Sequence, residues 1–120
     1  MAVKFANNAY TTLSSGINDS VTTIPVADIL KFPNITGADD YMYVTIVGSS
    51  STEIIKVTNS TVNTFTCLRE QDNSVADSFD SGDRVELRVT AAMLNDLSGD
   101  GEHASKGLAI AMSVALWTYD

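Results

Sequence analysis

The chain has few of the side chains that carry most enzymatic chemistry. Among its 120 residues there is one histidine, His103, and one cysteine, Cys67. A lone cysteine cannot close an internal disulfide, and one histidine does not define a Ser-His-Asp or Cys-His catalytic set. Neither a glycine-rich phosphate loop nor a CxxC pair is present. We therefore predict a protein that is not an enzyme and needs no cofactor, with Cys67 buried as a small hydrophobic residue.

Positive charge is also scarce. Seven Lys and Arg oppose fifteen Asp and Glu, which gives a net charge of −8 at pH 7. Such a chain repels phosphate backbones and anionic headgroups, so we predict no direct binding of nucleic acid and no membrane binding. The opening residues contain no apolar signal segment, which favours synthesis and folding in the cytoplasm. The segment Glu70–Asp83 holds five acidic residues and no Lys or Arg, so we expect it to face solvent or a basic partner.

Typical helix-surface residues are few, and β-branched residues are many. Glu and Lys number four each, whereas there are thirteen Thr, eleven Val and eight Ile. Branching at Cβ stiffens the side chain and suits a pleated sheet. The composition therefore predicts a mainly β fold, a small antiparallel β-sandwich or barrel-like domain over residues 1–97.

Hydrophobic alternation places the elements of this domain. Met42, Val44 and Ile46 fall on one face of a strand that opens a three-stranded antiparallel meander. Phe79 is expected to anchor the loop 72–83, and Thr90 to cap one short helix. The predicted elements are the strands Ala9–Ser15, Val21–Val26, Tyr41–Val47, Glu53–Thr58, Val62–Arg69 and Arg84–Val89, a turn at 59–61, inward-facing Val85, Leu87 and Val89, and the helix Ala91–Leu97.

The C-terminal part differs in character from the rest. A polar linker, 98–106, leads into an apolar arm, 107–120, which is too short to span a bilayer. Large and small residues alternate along the arm, which favours a strand, whereas its Ala, Leu and Met content favours a helix, so both remain open. The arm is expected to be buried either in its own core or against another subunit. The candidate subunit-interface residues are Leu108, Ile110, Met112, Val114, Leu116 and Trp117.

Two ligand patterns are present but incomplete. Asp96–Glu102 matches the first half of a calcium loop, but Gly107 stands where a bidentate glutamate is needed, so we predict a solvated linker and no metal site. Tyr41 and Tyr43 share one face of a predicted strand, and with Tyr10 and two arm aromatics they offer a platform for sugar rings. A partly exposed sheet face or a subunit interface explains the same residues.

The stretch Phe79–Leu97 carries a family resemblance. It combines a phenylalanine, the turn Gly82-Asp83, a Val-Glu-x-Arg strand and a Thr-Ala-x-x-Leu-Asn-Asp helix. This resembles the end of a small β-domain of tailed-bacteriophage virion proteins, often found at the start of tail fibres. The family similarity extends over about residues 1–97 through Ala2–Ala9, Thr12-Leu13, Gly16-Ile17, Glu53–Thr58 and Thr66–Arg69. The family loop after this arginine is rich in glycine, whereas here Asn73 is expected to supply a left-handed conformation.

The resemblance implies a structural role in a virion. Tail fibres continue into a long shaft, whereas this sequence stops at Asp120, so the resemblance points to the attachment module alone. Its implied partners are other virion proteins, in a homo-oligomer or symmetric array. It would act as an adaptor in the tail or head–tail region, or as capsid decoration, after synthesis in the host cytoplasm. The alternative function is a host-surface carbohydrate-binding module that uses the Tyr-bearing sheet.

Overall fold

The computed structural model describes residues 2–36 and 39–98. The chain divides after Arg88 into two units, Met1–Arg88 and Val89–Asp120, and each is described by itself. The first unit holds all the described strands and is mainly β. Its strands are β1 (Ala2–Val3), β2 (Tyr10–Thr12), β3 (Thr23–Pro25), β4 (Asp40–Val47), β5 (Thr52–Thr61), β6 (Thr64–Gln71) and β7 (Arg84–Glu86).

Six of the strands form one curled antiparallel sheet in the order β2-β7-β4-β5-β6-β3. The two ends of this sheet meet, because a bridge pairs Leu13, just after β2, with Val26, just after β3. The Ala27 N–H donates to the Thr12 carbonyl at 2.9 Å beside this bridge. The sheet is therefore a half-barrel whose terminal strands join at one point. The predicted mainly β, barrel-like fold is confirmed, and the sandwich alternative is set aside.

Strand β4 is the most enclosed strand of the sheet. One of its edges pairs with β5 along Met42–Val47, and β7 pairs with Thr45–Val47. The short β1 runs parallel to β4 and pairs with its first two residues. Carbonyl directions alternate along a strand. The Lys4 N–H donates to the Tyr41 carbonyl, which places β1 on the same edge as β7, opposite β5.

The core of the first unit lies on the concave side of the sheet. Met42, Val44 and Ile46 are fully buried on one face of β4, as the alternation predicts. Phe32 packs edge-to-face on Phe65 with ring centroids 5.1 Å apart. Further large core residues include Leu13, Ile24, Ile35, Ile55, Val57 and Val85.

Most strand boundaries differ from the sequence predictions by one to three residues, and two of these differences have a clear structural cause. The turn predicted at 59–61 is wrong, because β5 continues to Thr61 and the chain reverses at Val62-Asn63, where Asn63 has a left-handed φ of 55°. Ser60 is held extended by its neighbour Ile35, to whose carbonyl its N–H donates at 2.7 Å. The strand predicted to reach Val89 ends at Glu86, and Val89 is 74% exposed rather than inward-facing.

The long loop after β6 is anchored as predicted. Phe79 is 3% exposed, and it exchanges two backbone hydrogen bonds with Ile17, of 2.9 and 3.0 Å. Gly48 leaves room for the Phe79 ring, because a Cβ at this glycine would lie 2.9 Å from the ring. Asn73 has φ 65°, so the predicted left-handed conformation is confirmed.

The described part of the second unit is a capped helix. Helix α1 spans Ala91–Ser98, one residue longer than predicted. The Thr90 hydroxyl accepts the Met93 N–H at 3.2 Å, which is the predicted N-cap. Met93 is 1% exposed.

Candidate functional site

The predicted interface residues lie outside the described part of the chain. They are the six arm residues from Leu108 to Trp117. The linker residues beyond Ser98, with His103 among them, also lie outside the described part. The interface assignment therefore stays a prediction. The functional surfaces that can be built from contacts belong to the first unit.

The aromatic pair proposed as a sugar platform is buried. Tyr41 and Tyr43 are 4% and 5% exposed, and their rings meet edge-to-face at 5.6 Å. The Lys56 ammonium lies 4.3 Å from the Tyr41 ring centroid. The expectation of a partly exposed Tyr-bearing face is wrong, because β4 is buried on both faces. Tyr10, which is 45% exposed, is the exposed tyrosine of the described residues.

A buried ion pair lies between β5 and β6. The Arg69 guanidinium donates to Glu53 through Nε and Nη2, each at 2.8 Å. Their side chains are 7% and 0% exposed. The pKa of Arg69 is raised above its usual value, first because of the hydrogen bond to Glu53 and despite its burial. Bidentate pairing of this kind is the strongest geometry for a guanidinium and a carboxylate.

The same pair ties two separate loops to the sheet. Arg69 also donates to the carbonyls of Asn18, Val21 and Asp77 at 2.7–2.8 Å, which uses all five of its N–H groups. Glu53 also accepts the backbone N–H groups of Glu70 and Asp77, both at 3.1 Å. The cluster of Arg69, Glu53 and these backbone groups is named the Arg69 cluster. It is chemically saturated, so it orders the loops and leaves no donor for a ligand.

Sequence reasoning missed this cluster, although a signal was present. Glu53 is in phase with the buried Ile55 and Val57, and Arg69 is in phase with the buried Phe65 and Cys67. Two opposite charges at inward-facing positions of neighbouring strands predict a pair. The exact contact depends on a register shift between β5 and β6, where Glu70 adopts φ 58°.

Cys67 is confirmed as a buried strand residue. It is 2% exposed, and desolvation raises the pKa of its thiol from 9.0 to about 11, against the opposing effect of Arg69. A thiol in this state is a poor nucleophile and a poor metal ligand at neutral pH. It therefore contributes packing.

A basic groove lies on the outer face of β2 and β7. Tyr10 pairs with Glu86 in register, so their side chains are neighbours. The Lys31 ammonium lies 3.9 Å from the Tyr10 ring centroid, and the Arg84 guanidinium carbon 5.2 Å from it. Glu86 accepts from Arg84 at 3.0 Å and from Arg88 at 2.8 Å. The groove, about 390 Å³ in volume, is lined by Asn8, Ala9, Tyr10, Arg84, Glu86, Leu87 and Arg88.

This Tyr10 groove is lined by two arginines and one carboxylate, although the protein as a whole carries a net charge of −8. Arg84 and Arg88 both pair with the Glu86 carboxylate, Lys31 lies over the Tyr10 ring, and both arginine side chains are at least half exposed. Elsewhere in the described residues, Lys4 pairs with Asp40 and Arg69 pairs with Glu53. The charged groups that line the groove are therefore paired within the chain.

A second groove has apolar walls. Leu30 is 89% exposed and Val62 is 85% exposed. They flank a cavity of about 500 Å³ with Ile29, Phe32, Asn34 and Asn63. Exposed large apolar side chains that share one groove are typical of protein contact surfaces.

Other chemistry is not assembled in the described residues. Within 2–36 and 39–98, no group of three His, Cys, Asp or Glu side chains is placed to hold a metal ion. Every buried side-chain nitrogen and oxygen in this part has a partner. No helix among these residues is long and apolar enough to cross a bilayer. No protein-family model matches the chain, and no curated protein matches it.

Proposed function

We propose that this protein is a bacteriophage virion structural protein, an attachment or adaptor module that assembles with other virion proteins. The observation that carries the proposal is the stretch Phe79–Leu97, whose motifs resemble the end of a virion β-domain. In the structure these motifs are an anchored phenylalanine, the Gly82 turn at φ 93°, the strand β7 and the Thr90-capped helix. Each motif thus has a clear structural role.

The described surface supports a binding role. Leu30 and Val62 expose apolar side chains beside one groove, and the Tyr10 groove adds a charged surface. The Arg69 cluster fixes the loops of the first unit before any partner arrives, which reduces the entropy lost on association. A preordered domain with exposed binding surfaces is what an adaptor requires.

The proposal is tested on purified particles of the phage that encodes the chain. Mass spectrometry is expected to find the protein in the particle at a fixed copy number, and cryo-electron microscopy to place it in the tail, at the head–tail junction or on the capsid. Its production during infection together with its absence from purified particles would contradict the proposal.

Two variants test the role of the arm separately from that of the domain. Deleting 107–120 is expected to leave the sheet folded by circular dichroism and to abolish incorporation into particles. A control with Val89→Ser, at an exposed position, should be incorporated normally. Normal incorporation of the truncated chain would refute a docking role for the arm. Binding of the intact chain to a glycan array, without incorporation, would favour the carbohydrate-binding alternative.

A further inference from the structure

We propose that copies of the chain assemble through their C-terminal arms, with the arm of one copy docked in an apolar groove of a second copy. The groove, named the Leu30 groove, is lined by Ile29, Leu30, Phe32, Asn34, Val62 and Asn63. The arm is the segment 107–120. This inference rests on the proposed assembly role and names the surface and the partner that the role uses. Its test needs no virus particle.

Two large apolar side chains project at the mouth of the Leu30 groove. Leu30 is 89% exposed and Val62 is 85% exposed, more than any other large hydrophobic residue of the described chain. Single exposed apolar residues are common on protein surfaces, whereas two that share one cavity form a patch of the kind that partners cover. The volume of about 500 Å³ lies within the range of binding clefts, about 300–1,000 Å³.

Ordered backbone holds both side chains in this outward position. The Leu30 N–H donates to the Asp28 carboxylate at 3.2 Å. Val62 lies in the turn between β5 and β6, and the Val26 N–H donates to the carbonyl of Asn63 in the same turn at 3.0 Å. The exposure of the two apolar side chains is therefore built into the fold. A partner that docks here loses little entropy in ordering the groove.

The lining of the Leu30 groove favours an uncharged peptide. None of its six residues carries a charge, so a charged ligand would lose hydration without gaining a partner. Asn34 and Asn63 supply side-chain amides, which can pair with the backbone of a bound segment. Phe32 forms a rigid wall, because its ring packs edge-to-face on Phe65. An apolar segment of polypeptide fits this combination.

The arm has the matching chemistry. Residues 107–119 contain no Asp, Glu, Lys or Arg, and ten of these thirteen residues are hydrophobic. Leu108, Met112 and Leu116 are spaced by four residues, which places them on one face of a strand and also on one face of a helix. The arm can therefore present the same three apolar side chains to the groove in either conformation that its sequence allows.

The occupant comes from a second copy. The groove is open in the single chain, because Leu30 and Val62 are almost fully exposed. The eight linker residues 99–106 extend up to about 27 Å at about 3.4 Å each, which lets an arm reach a neighbouring copy. Each copy contributes one arm and one groove, and head-to-tail contacts of this kind close into a symmetric ring when the rotation between copies permits it.

The experiment uses the full chain at physiological ionic strength, where screening limits the repulsion between acidic copies. Sedimentation equilibrium is expected to show an oligomer at micromolar concentrations. A groove variant, Leu30→Ser with Val62→Ser, and an arm variant, Met112→Asp with Trp117→Phe, are each expected to be monomeric. The two groove side chains are exposed, so their replacement should leave the fold unchanged, and circular dichroism verifies this for both variants.

A matched control replaces the same two residue types outside the groove. Leu68 is 52% exposed and Val75 is 73% exposed, and neither lines the Leu30 groove. The variant Leu68→Ser with Val75→Ser therefore removes a leucine and a valine from the surface without touching the proposed contact. It is expected to form the same oligomer as the wild type.

Mixing the groove variant with the arm variant gives the decisive result. The groove variant keeps an intact arm and the arm variant keeps an intact groove, so one docking contact remains. A one-to-one complex is expected, with an affinity at least about tenfold higher than the self-association of either variant. Trp117 is the one tryptophan of the chain, and the arm variant lacks it. A blue shift of tryptophan emission on mixing therefore reports the docking of the intact arm.

Four outcomes would overturn the proposal. The wild type could stay monomeric up to about 0.5 mM, which corresponds to an interaction too weak for assembly. The groove variant could assemble like the wild type, which would place the interface elsewhere. The control variant could be monomeric as well, which would show that the effect is not specific to the groove. The mixed variants could form no complex. Absence of the chain from virus particles would leave these results unchanged, so the two proposals fail separately.

Discussion

Replacing the buried ion pair with apolar residues should weaken this fold rather than strengthen it. In other proteins, apolar replacement of a buried pair is often neutral or stabilising by about 1–4 kcal/mol, because the desolvation of two charges is avoided. Here the pair of Arg69 and Glu53 also satisfies five backbone groups, four of them in two loops and one in β6. The double variant Arg69→Met with Glu53→Leu leaves those groups without their partners.

The magnitude follows from the number of groups that water cannot easily reach. The Asn18 carbonyl contact is exposed, so water can replace it, whereas the other four contacts are partly buried. Each unsatisfied buried group costs about 1–3 kcal/mol, so four cost at least about 4 kcal/mol. Even after the avoided desolvation is subtracted, we expect a net loss of about 2 kcal/mol. Arg69→Met alone should cost about 3–5 kcal/mol, because it leaves the Glu53 carboxylate buried and unpaired.

Urea unfolding followed by circular dichroism measures the loss. With a slope of about 1.5 kcal/mol per molar urea, a 2 kcal/mol change lowers the midpoint by about 1.3 M. The matched control is Arg84→Met with Glu86→Leu, an ion pair of similar length in which the arginine side chain is 58% exposed. This exposed pair should contribute under about 1 kcal/mol. A double variant of the Arg69 cluster as stable as the wild type would refute the reasoning.

Three further predictions concern single sites. Gly48→Ala should cost about 1–3 kcal/mol, since the new Cβ would lie 2.9 Å from the buried Phe79 ring; thermal unfolding measures this, and a change as small as that of exposed Ser50→Ala would contradict it. At pH 8 the Cys67 thiol, with its pKa raised to about 11, should react with a disulfide reagent about a hundredfold more slowly than a free thiol of pKa 9; equal rates in the native and urea-unfolded chain would show that the thiol is accessible. Thr90→Ala should lower the protection of the helix amides from hydrogen exchange by about fivefold, equivalent to about 1 kcal/mol, whereas Thr90→Ser should retain the protection. Unchanged protection in both variants would contradict the capping role of Thr90.

The alternation of buried residues was sufficient to predict much of the sheet. Met42, Val44 and Ile46 mark β4 because a strand with a buried face must repeat every two residues. The N-cap Thr90 and the anchor Phe79 were also predictable, since each depends on local chemistry. The closure of the half-barrel at Leu13 and Val26 was not predictable, because it depends on how strongly the whole sheet curls.

The sequence predictions were wrong or incomplete where contacts with distant segments override the local conformational preference of the chain. Ser60 lies among turn-forming residues, yet its pairing with Ile35 keeps β5 extended. The Arg69 cluster was missed because its geometry needs a register shift at Glu70 and two loops that are far away in sequence. The Tyr10 groove depends on Lys31, which reaches Tyr10 from a segment between β3 and β4. Such contacts are long-range and leave little trace in a single sequence.

The shared edge of β4 has a consequence for how the domain can be joined to other chains. β1 starts beside Asp40, and β7 ends beside Thr45 on the same edge. These two points are five residues apart along one strand, or roughly 17 Å. A circular permutant of the first unit, opened at the Gly48–Ser51 hairpin and closed by a linker from Arg88 to Ala2 that spans this distance, is therefore expected to fold. The polypeptide of the first unit thus enters and leaves its sheet along one edge of β4, and the opposite edge is covered by β5.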